Sequence, residues 1–275
     1  MFIEGALLSG VTLVGWIGAF HFTAHSFTRH LKSRRWEMSR QHILNMSEAV
    51  VSGLQSVVSS VCGVLVVVSC GHNVMRATHS LSTRYAWVMA SYFLYDTWAM
   101  YQVHLSSLKE GSSSSVKSGD VVGRLKSFMQ RRTLLILHHL VLAFVLVPIL
   151  IYRDGIGDFF VGCFYCVELS GPFTNMRVVL SRLGLKNTRW YAANGILMIT
   201  TFTCCRVLVF PYMYLCYGSQ HGLGLWGVVH SIPLHCNLGC LLILLPQIHW
   251  IRLMVRGALK ISRGQHITEA EEKID

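Results

Sequence analysis

The feature that most constrains this chain is a run of apolar residues too long for most soluble helices and repeated along its length. Residues 134–150 read LLILHHLVLAFVLVPIL, without a single Asp, Glu, Lys or Arg. A membrane span needs about 20 mostly apolar residues. Seven segments approach or meet that length, at about 5–22, 49–69, 85–104, 133–152, 159–180, 191–217 and 225–250. Composition agrees, with 52% hydrophobic and 13% charged residues among 275, and it excludes a soluble enzyme. In lipid every backbone polar group has to be satisfied within the protein, so runs of this length imply helices. The expected fold is all-α, a polytopic membrane protein of about seven transmembrane helices. The start, MFIEGALLSG, has Glu4 and no basic stretch before its apolar run, which reads as a retained first span and not a cleaved signal peptide.

Orientation follows from the basic residues, because Lys and Arg in short loops stay on the cytosolic side. The loop after span one holds Arg29, Lys32, Arg34, Arg35 and Arg40, and that after span three holds Lys109, Lys117, Arg124, Lys126, Arg131 and Arg132. Arg182, Lys186 and Arg189 follow span five, and Arg252, Arg256, Lys260, Arg263 and Lys273 follow span seven. The alternate loops hold only Arg76, Arg84 and Arg153. This split predicts a luminal N-terminus and a cytosolic C-terminus, and it accounts for the net charge of +11 without nucleic acid as a partner. It also predicts that the sequon Asn45-Met46-Ser47 stays unglycosylated. The segment 111–120, GSSSSVKSGD, reads as a flexible polar insert, and the tail ITEAEEKID as solvated.

The nine cysteines lie mostly at membrane depth and give little support for a disulfide framework. Cys163-Phe164-Tyr165-Cys166 has CxxC spacing but no second pair or histidine cluster, so inert thiols are expected there and no metal site.

Chemistry therefore has to come from polar residues inside the spans, where ionisable groups are costly and face a partner, a cavity or a substrate. His138 and His139 lie about 8 to 10 Å inside the cytosolic end of span four, at 1.5 Å per residue. Asp96 in span three, Glu168 in span five and Arg206 in span six are at mid-depth. Adjacent helix positions differ by about 100°, so the two imidazoles point apart. One can then act as base or nucleophile while a second group orients it; equally, both can be satisfied histidines bonded to neighbouring helices. For Asp96 and Arg206 a buried ion pair joining helices is expected. Glu168 precedes Gly171-Pro172, where a proline kink opens space, and is expected to face a cavity. A di-iron oxygenase is excluded, because it needs clustered histidines and residue 135 is Leu135. A seven-span receptor lacks its Asp-Arg-Tyr and Asn-Pro-x-x-Tyr signatures, and no inverted repeat marks a transporter.

Several ordered blocks resemble the TLC domain, shared by ceramide synthases and other endoplasmic reticulum proteins. They are Arg35-Trp36, YFLYDxxAM at 92–100, the pair His138-His139, GDFFVG at 157–162 and ELSxPF at 168–173. Asn194-Gly195, CCRVLVFPYMY at 204–214 and N-x8-PQ-x2-W from Asn237 to Trp250 complete the set. The resemblance is nearest the TLC domain-containing protein 3 subgroup. It divides the chain into a first helix with the start of a loop at 1–33, a TLC domain at 34–262 and a tail at 263–275.

The resemblance implies a helical bundle around a lipid cavity and a ceramide-synthase-type reaction, in which a fatty acyl group passes from acyl-CoA to the amine of a sphingoid base. It implies His138 and His139 as catalytic residues, with Glu168 or Asp96 as the supporting acid and Arg206 and Asn194 on the cofactor side. Acyl-CoA would be a co-substrate, with no tightly bound cofactor and no metal. Membrane lipid, acyl-CoA and the sphingoid base are the implied partners, a homo- or hetero-oligomer being left open. The implied address is the endoplasmic reticulum membrane, with the Golgi as an alternative. Where ceramide synthases carry a close pair of aspartates, this sequence has Asp158 and then Glu168. A non-catalytic lipid-binding protein that regulates membrane composition or trafficking is the alternative function.

Overall fold

The computed structural model describes residues 2–33, 37–110, 121–142, 153 and 155–262, and every regular element among them is helical. Arg35-Trp36, the 111–120 insert, the second half of span four and the 263–275 tail lie outside the described residues. The elements are α1 (Phe2–Ser33), α2 (Arg40–Cys70), α3 (Ser80–Glu110), α4 (Val121–Val141) and α5 (Asp158–Cys166). A short 3₁₀ turn (Val167–Ser170) leads into α6 (Gly171–Arg182). Then come α7 (Arg189–Phe202), a π-helical turn (Thr203–Val207), α8 (Val209–His221), α9 (Leu225–Ser231) and α10 (Leu234–Ser262).

Four helical stretches among the described residues are long and apolar enough to cross a membrane: Ile3–Ser33, Arg40–Cys70, Arg189–His221 and Leu234–Leu259. The expectation of seven spans is met only in this coarser form. Helix α3 has the length, at 31 residues, but its sequence SLSTRYAWVMASYFLYDTWAMYQVHLSSLKE interleaves Ser, Tyr, Asp and His with the apolar residues. The expected span at 159–180 is divided between α5, the 3₁₀ turn and α6. The expected span at 225–250 is two helices, α9 and α10. Pro233 disfavours helical geometry in the residue before it, and Ile232 is extended at φ −84°, ψ 146°.

The chain divides into two compact units. The first comprises Met1–Gln55, Ser80–Gly155 and Val178–Leu183. Here α1 lies along α3. Gly5 sits where any Cβ would collide with the Trp87 indole, the Ser9 hydroxyl donates to the Trp87 carbonyl at 2.8 Å, and the Thr12 and Ser91 hydroxyls are 2.7 Å apart. Further along, Trp16 and Phe20 pack against Tyr92, Tyr95 and Trp98. The opposite side of α1 exposes Ile3, Leu7, Val11, Val14 and Phe22, an outward apolar surface that only lipid or another apolar partner covers without cost. Leu31, Ile43 and Met46 form a separate cluster where α1 gives way to α2.

The second unit comprises Ser56–His79, Ile156–Arg177 and Gly184–Asp275. Small residues let its backbones approach closely. A Cβ on Gly63 would lie 2.7 Å from the Cys166 nitrogen and 2.8 Å from the Gly162 oxygen, and one on Gly162 would lie 2.9 Å from Val66. The start of α5 is hooked to the turn after α2. Gly157, in the left-handed region at φ 75°, donates to the Met75 carbonyl at 2.8 Å, while the buried Asp158 carboxylate accepts from the His79 amide at 2.6 Å. Met198, Phe202 and Met254 form the core between α7 and α10. Asn237 closes the α9–α10 corner by donating to the Val229 carbonyl and accepting from the Tyr214 hydroxyl.

Candidate functional site

The first unit gathers an acid, an imidazole and a cavity. Asp96 lies on α3 and His139 on α4, with His139 Nδ1 3.3 Å from Asp96 Oδ2 and both side chains 10% exposed. The other carboxylate oxygen, Oδ1, accepts from the Ser52 hydroxyl at 3.0 Å and from the Tyr92 hydroxyl at 3.2 Å. Tyr92 and Asp96 are four residues apart on one helix, so they share a face. Two hydroxyls thus hold the carboxylate from one side while it orients the imidazole on the other. The His139 ring packs 5.5 Å from Phe93 and 5.9 Å from His138. His138 is more exposed than His139, as adjacent positions on a helix require.

His139 also lines a cavity of about 280 Å³ with Phe93, Leu94, Thr97, Trp98, Tyr101, Leu125, Phe128 and Leu140. It is the one imidazole in that lining. Asp96 is not in the lining, so the order from cavity to interior is imidazole, then acid, then hydroxyls. That is the order of a base held by an orienting carboxylate.

Glu48, one helical turn before Ser52 on α2, interacts electrostatically with Asp96 and with Arg132. Sequence reasoning missed Glu48, Ser52 and Tyr92. The signal for Tyr92 was present in the four-residue spacing of YFLYD; Ser52 and Glu48 come from another helix and become visible only in three dimensions.

The second unit holds a different charged cluster. Arg206 Nη2 lies 3.3 Å from Glu168 Oε2, Arg206 Nε donates to the Ser170 hydroxyl at 2.8 Å, and the Ser56 hydroxyl donates to Glu168 Oε2 at 3.4 Å. The guanidinium also lies over the Phe202 ring, 5.4 Å from its centroid. Both ends of the pair are set by irregular helix: Glu168 is on the 3₁₀ turn and Arg206 on the π turn. These findings correct one expectation: Asp96 pairs with His139 where a pair with Arg206 was expected, and Arg206 pairs instead with Glu168 within its own unit. Asn194 is buried and donates to the Phe173 carbonyl at 2.8 Å, tying α7 to α6.

All nine cysteines are free thiols, and among the described residues no group of three or more His, Cys, Asp or Glu side chains is arranged to hold a metal ion.

A profile of the TLC domain matches residues 45–256. The chain belongs to the TLC-domain family. No solved structure matches the chain. Membership in that family, with four helices fit to cross a bilayer, makes this a membrane protein with a lipid-related function. Both charged clusters fall inside the TLC domain, and so does the cavity, while the whole of α1 precedes it.

Proposed function

We propose that this TLC-domain protein is a ceramide-synthase-like N-acyltransferase, most similar to the TLC domain-containing protein 3 subgroup. The observation that carries this reading is the His139–Asp96 pair at the wall of an apolar cavity. An apolar cavity with one imidazole in its wall suits a long-chain substrate whose reacting end needs a proton moved. At about 280 Å³ it is just below the usual range for ligand pockets, about 300–1,000 Å³, and takes a segment of an acyl chain.

In the proposed reaction the sphingoid amine attacks the thioester carbonyl of acyl-CoA. The new C–N bond forms, the C–S bond breaks, and the amine proton passes by way of the His139 imidazole to the departing thiolate of CoA. Asp96 holds the ring and stabilises the imidazolium that forms in between. His138 and Glu168 are kept as secondary candidates, and Arg206 and Asn194 as residues toward acyl-CoA. Seven spans, a luminal N-terminus, a cytosolic C-terminus and residence in the endoplasmic reticulum complete the reading, so that the CoA headgroup stays in the cytosol. The basic residues flanking α1, α3, α6 and α10 support that orientation.

A second reading is a non-catalytic lipid-binding protein that influences membrane composition. It is favoured by the same Asp96 network, since a carboxylate hydrogen-bonded from α2 and α3 and lying 3.3 Å from the α4 imidazole also serves to join three helices. Mass spectrometry of reconstituted protein given acyl-CoA and a sphingoid base separates the two. Acylated base that disappears in His139→Ala supports the enzyme; co-purified lipid without turnover in the wild type supports the binder and refutes the enzyme.

A further inference from the structure

The first part of α4 lends Leu125 and Phe128 to the cavity wall but supplies no group to the proton transfer proposed above, and it is built in an unusual way. Helical geometry fails at Arg132, with φ −128° and ψ 25°, so residues 121–131 form a helical piece with a direction of its own. Within it Val121, Val122, Leu125 and Met129 are exposed, Val122 by 77%. At about 100° per residue these four fall within an arc of roughly 100°. That arc is not the packing face. Phe128 provides the packing, buried in a cluster with Met100 of α3 and Ile136.

The same piece carries Arg124, Lys126 and Arg131, and residues 121–132, VVGRLKSFMQRR, include no acid. The segment therefore presents an apolar strip that water disfavours beside bases that the hydrocarbon core disfavours. One environment satisfies both, the boundary between headgroups and acyl chains. A polar partner would leave the strip uncovered, and an apolar protein surface would leave the bases unpaired. An anionic lipid surface covers both, and charge complementarity selects it over a neutral one.

We propose that Val121–Arg131 lies in the plane of the membrane surface, with Val121, Val122, Leu125 and Met129 in the outer acyl layer and Lys126 and Arg131 on anionic lipid headgroups. The break at Arg132 is the bend between this in-plane piece and the remainder of α4, which carries His139. The assignment is independent of whether the cavity beside His139 supports catalysis.

The test is amide hydrogen exchange on the full chain in nanodiscs of phosphatidylcholine, with and without phosphatidylserine. Exchange of residues 121–131 is expected to slow roughly tenfold when phosphatidylserine is present, for the wild type and for the charge-retaining variant K126R/R131K. In K126Q/R131Q this dependence on lipid charge should vanish. Val122→Asp should speed exchange of the segment in both lipids, with exchange in α2 unchanged as the control for folding. Equal exchange of the wild type in the two lipids, or a K126Q/R131Q variant that keeps the full difference, overturns the proposal. So does a Val122→Asp variant whose segment exchanges like the wild type.

Discussion

The molecule contains two acid–base pairs that look alike on paper and are used differently. His139–Asp96 and Arg206–Glu168 are both joined at 3.3 Å, and both carboxylates are steadied by hydroxyls, Ser52 and Tyr92 in one and Ser56 in the other. The difference is the base. An imidazole titrates near neutral pH and can take up or release a proton, whereas a guanidinium stays charged and only binds. The titratable base lines a cavity; the permanent charge is locked by Glu168, Ser170 and the Phe202 ring. The first arrangement is suited to chemistry and the second to holding helices in place.

Substitutions can break this contrast or sharpen it. The largest effect is expected for His139→Ala, which should lower N-acylation about 10³-fold, in line with the loss of a positioned general base, while the yield of folded protein is unchanged. A comparable loss of stability, read as thermal unfolding in detergent, would make His139 architectural and erase the contrast. Arg206→Ala should do the reverse. It leaves the half-buried Glu168 carboxylate without its cation, with an expected loss of about 2 to 3 kcal/mol, and the apolar pair R206M/E168M should recover most of it. Failure of the pair to recover stability would assign Arg206 a role beyond its ion pair.

Asp96→Asn keeps the shape of the site but removes the charge that orients His139. Turnover is expected to fall about 10²-fold or more, with a smaller change in unfolding temperature than Arg206→Ala gives. The smallest effect is expected for Gly171→Ala. The new methyl would collide with the Ser56 hydroxyl and side chain, costing about 1 to 3 kcal/mol by overpacking, and Ser56→Gly in the same chain should relieve it. Unchanged unfolding in Gly171→Ala would show that the support of Glu168 is looser than its geometry indicates.

Much of the site's membership was legible in the sequence, because ionisable residues inside apolar runs are expensive and stand out. Asp96, His138, His139, Glu168 and Arg206 were found that way. Their pairing was not legible. Depth along a helix can be counted in residues, but the facing side depends on helix rotation, and the sequence gives no rotation for α3 against α4. Irregular helix was also hidden. Gly171-Pro172 signalled a break near Glu168, and the 3₁₀ turn at Val167–Ser170 lies just before it. Nothing in TCCRV announces the π turn that carries Arg206. The α2 serines carry no charge to make them stand out in an apolar segment, and Ser52, Ser56, Ser59 and Ser60 are all buried. Their small size and short-range hydroxyls are what a crowded helix in lipid requires.

The π turn at Thr203–Val207 has a consequence for how this helix tolerates change in length. A π turn holds one residue more than the α-helical turn it replaces, and Leu208 accordingly bonds back to Thr203 at 2.9 Å. Loss of one residue there would leave a helix without the π turn, continuous from Arg189 to His221 and interrupted in its bonding only at Pro211, with α8 still in register against its neighbours. The guanidinium, however, would swing by about 100° around the axis and leave the carboxylate of Glu168 behind. Chain length is thus dispensable by one residue at this point, and the direction of a single charge is what the extra residue secures.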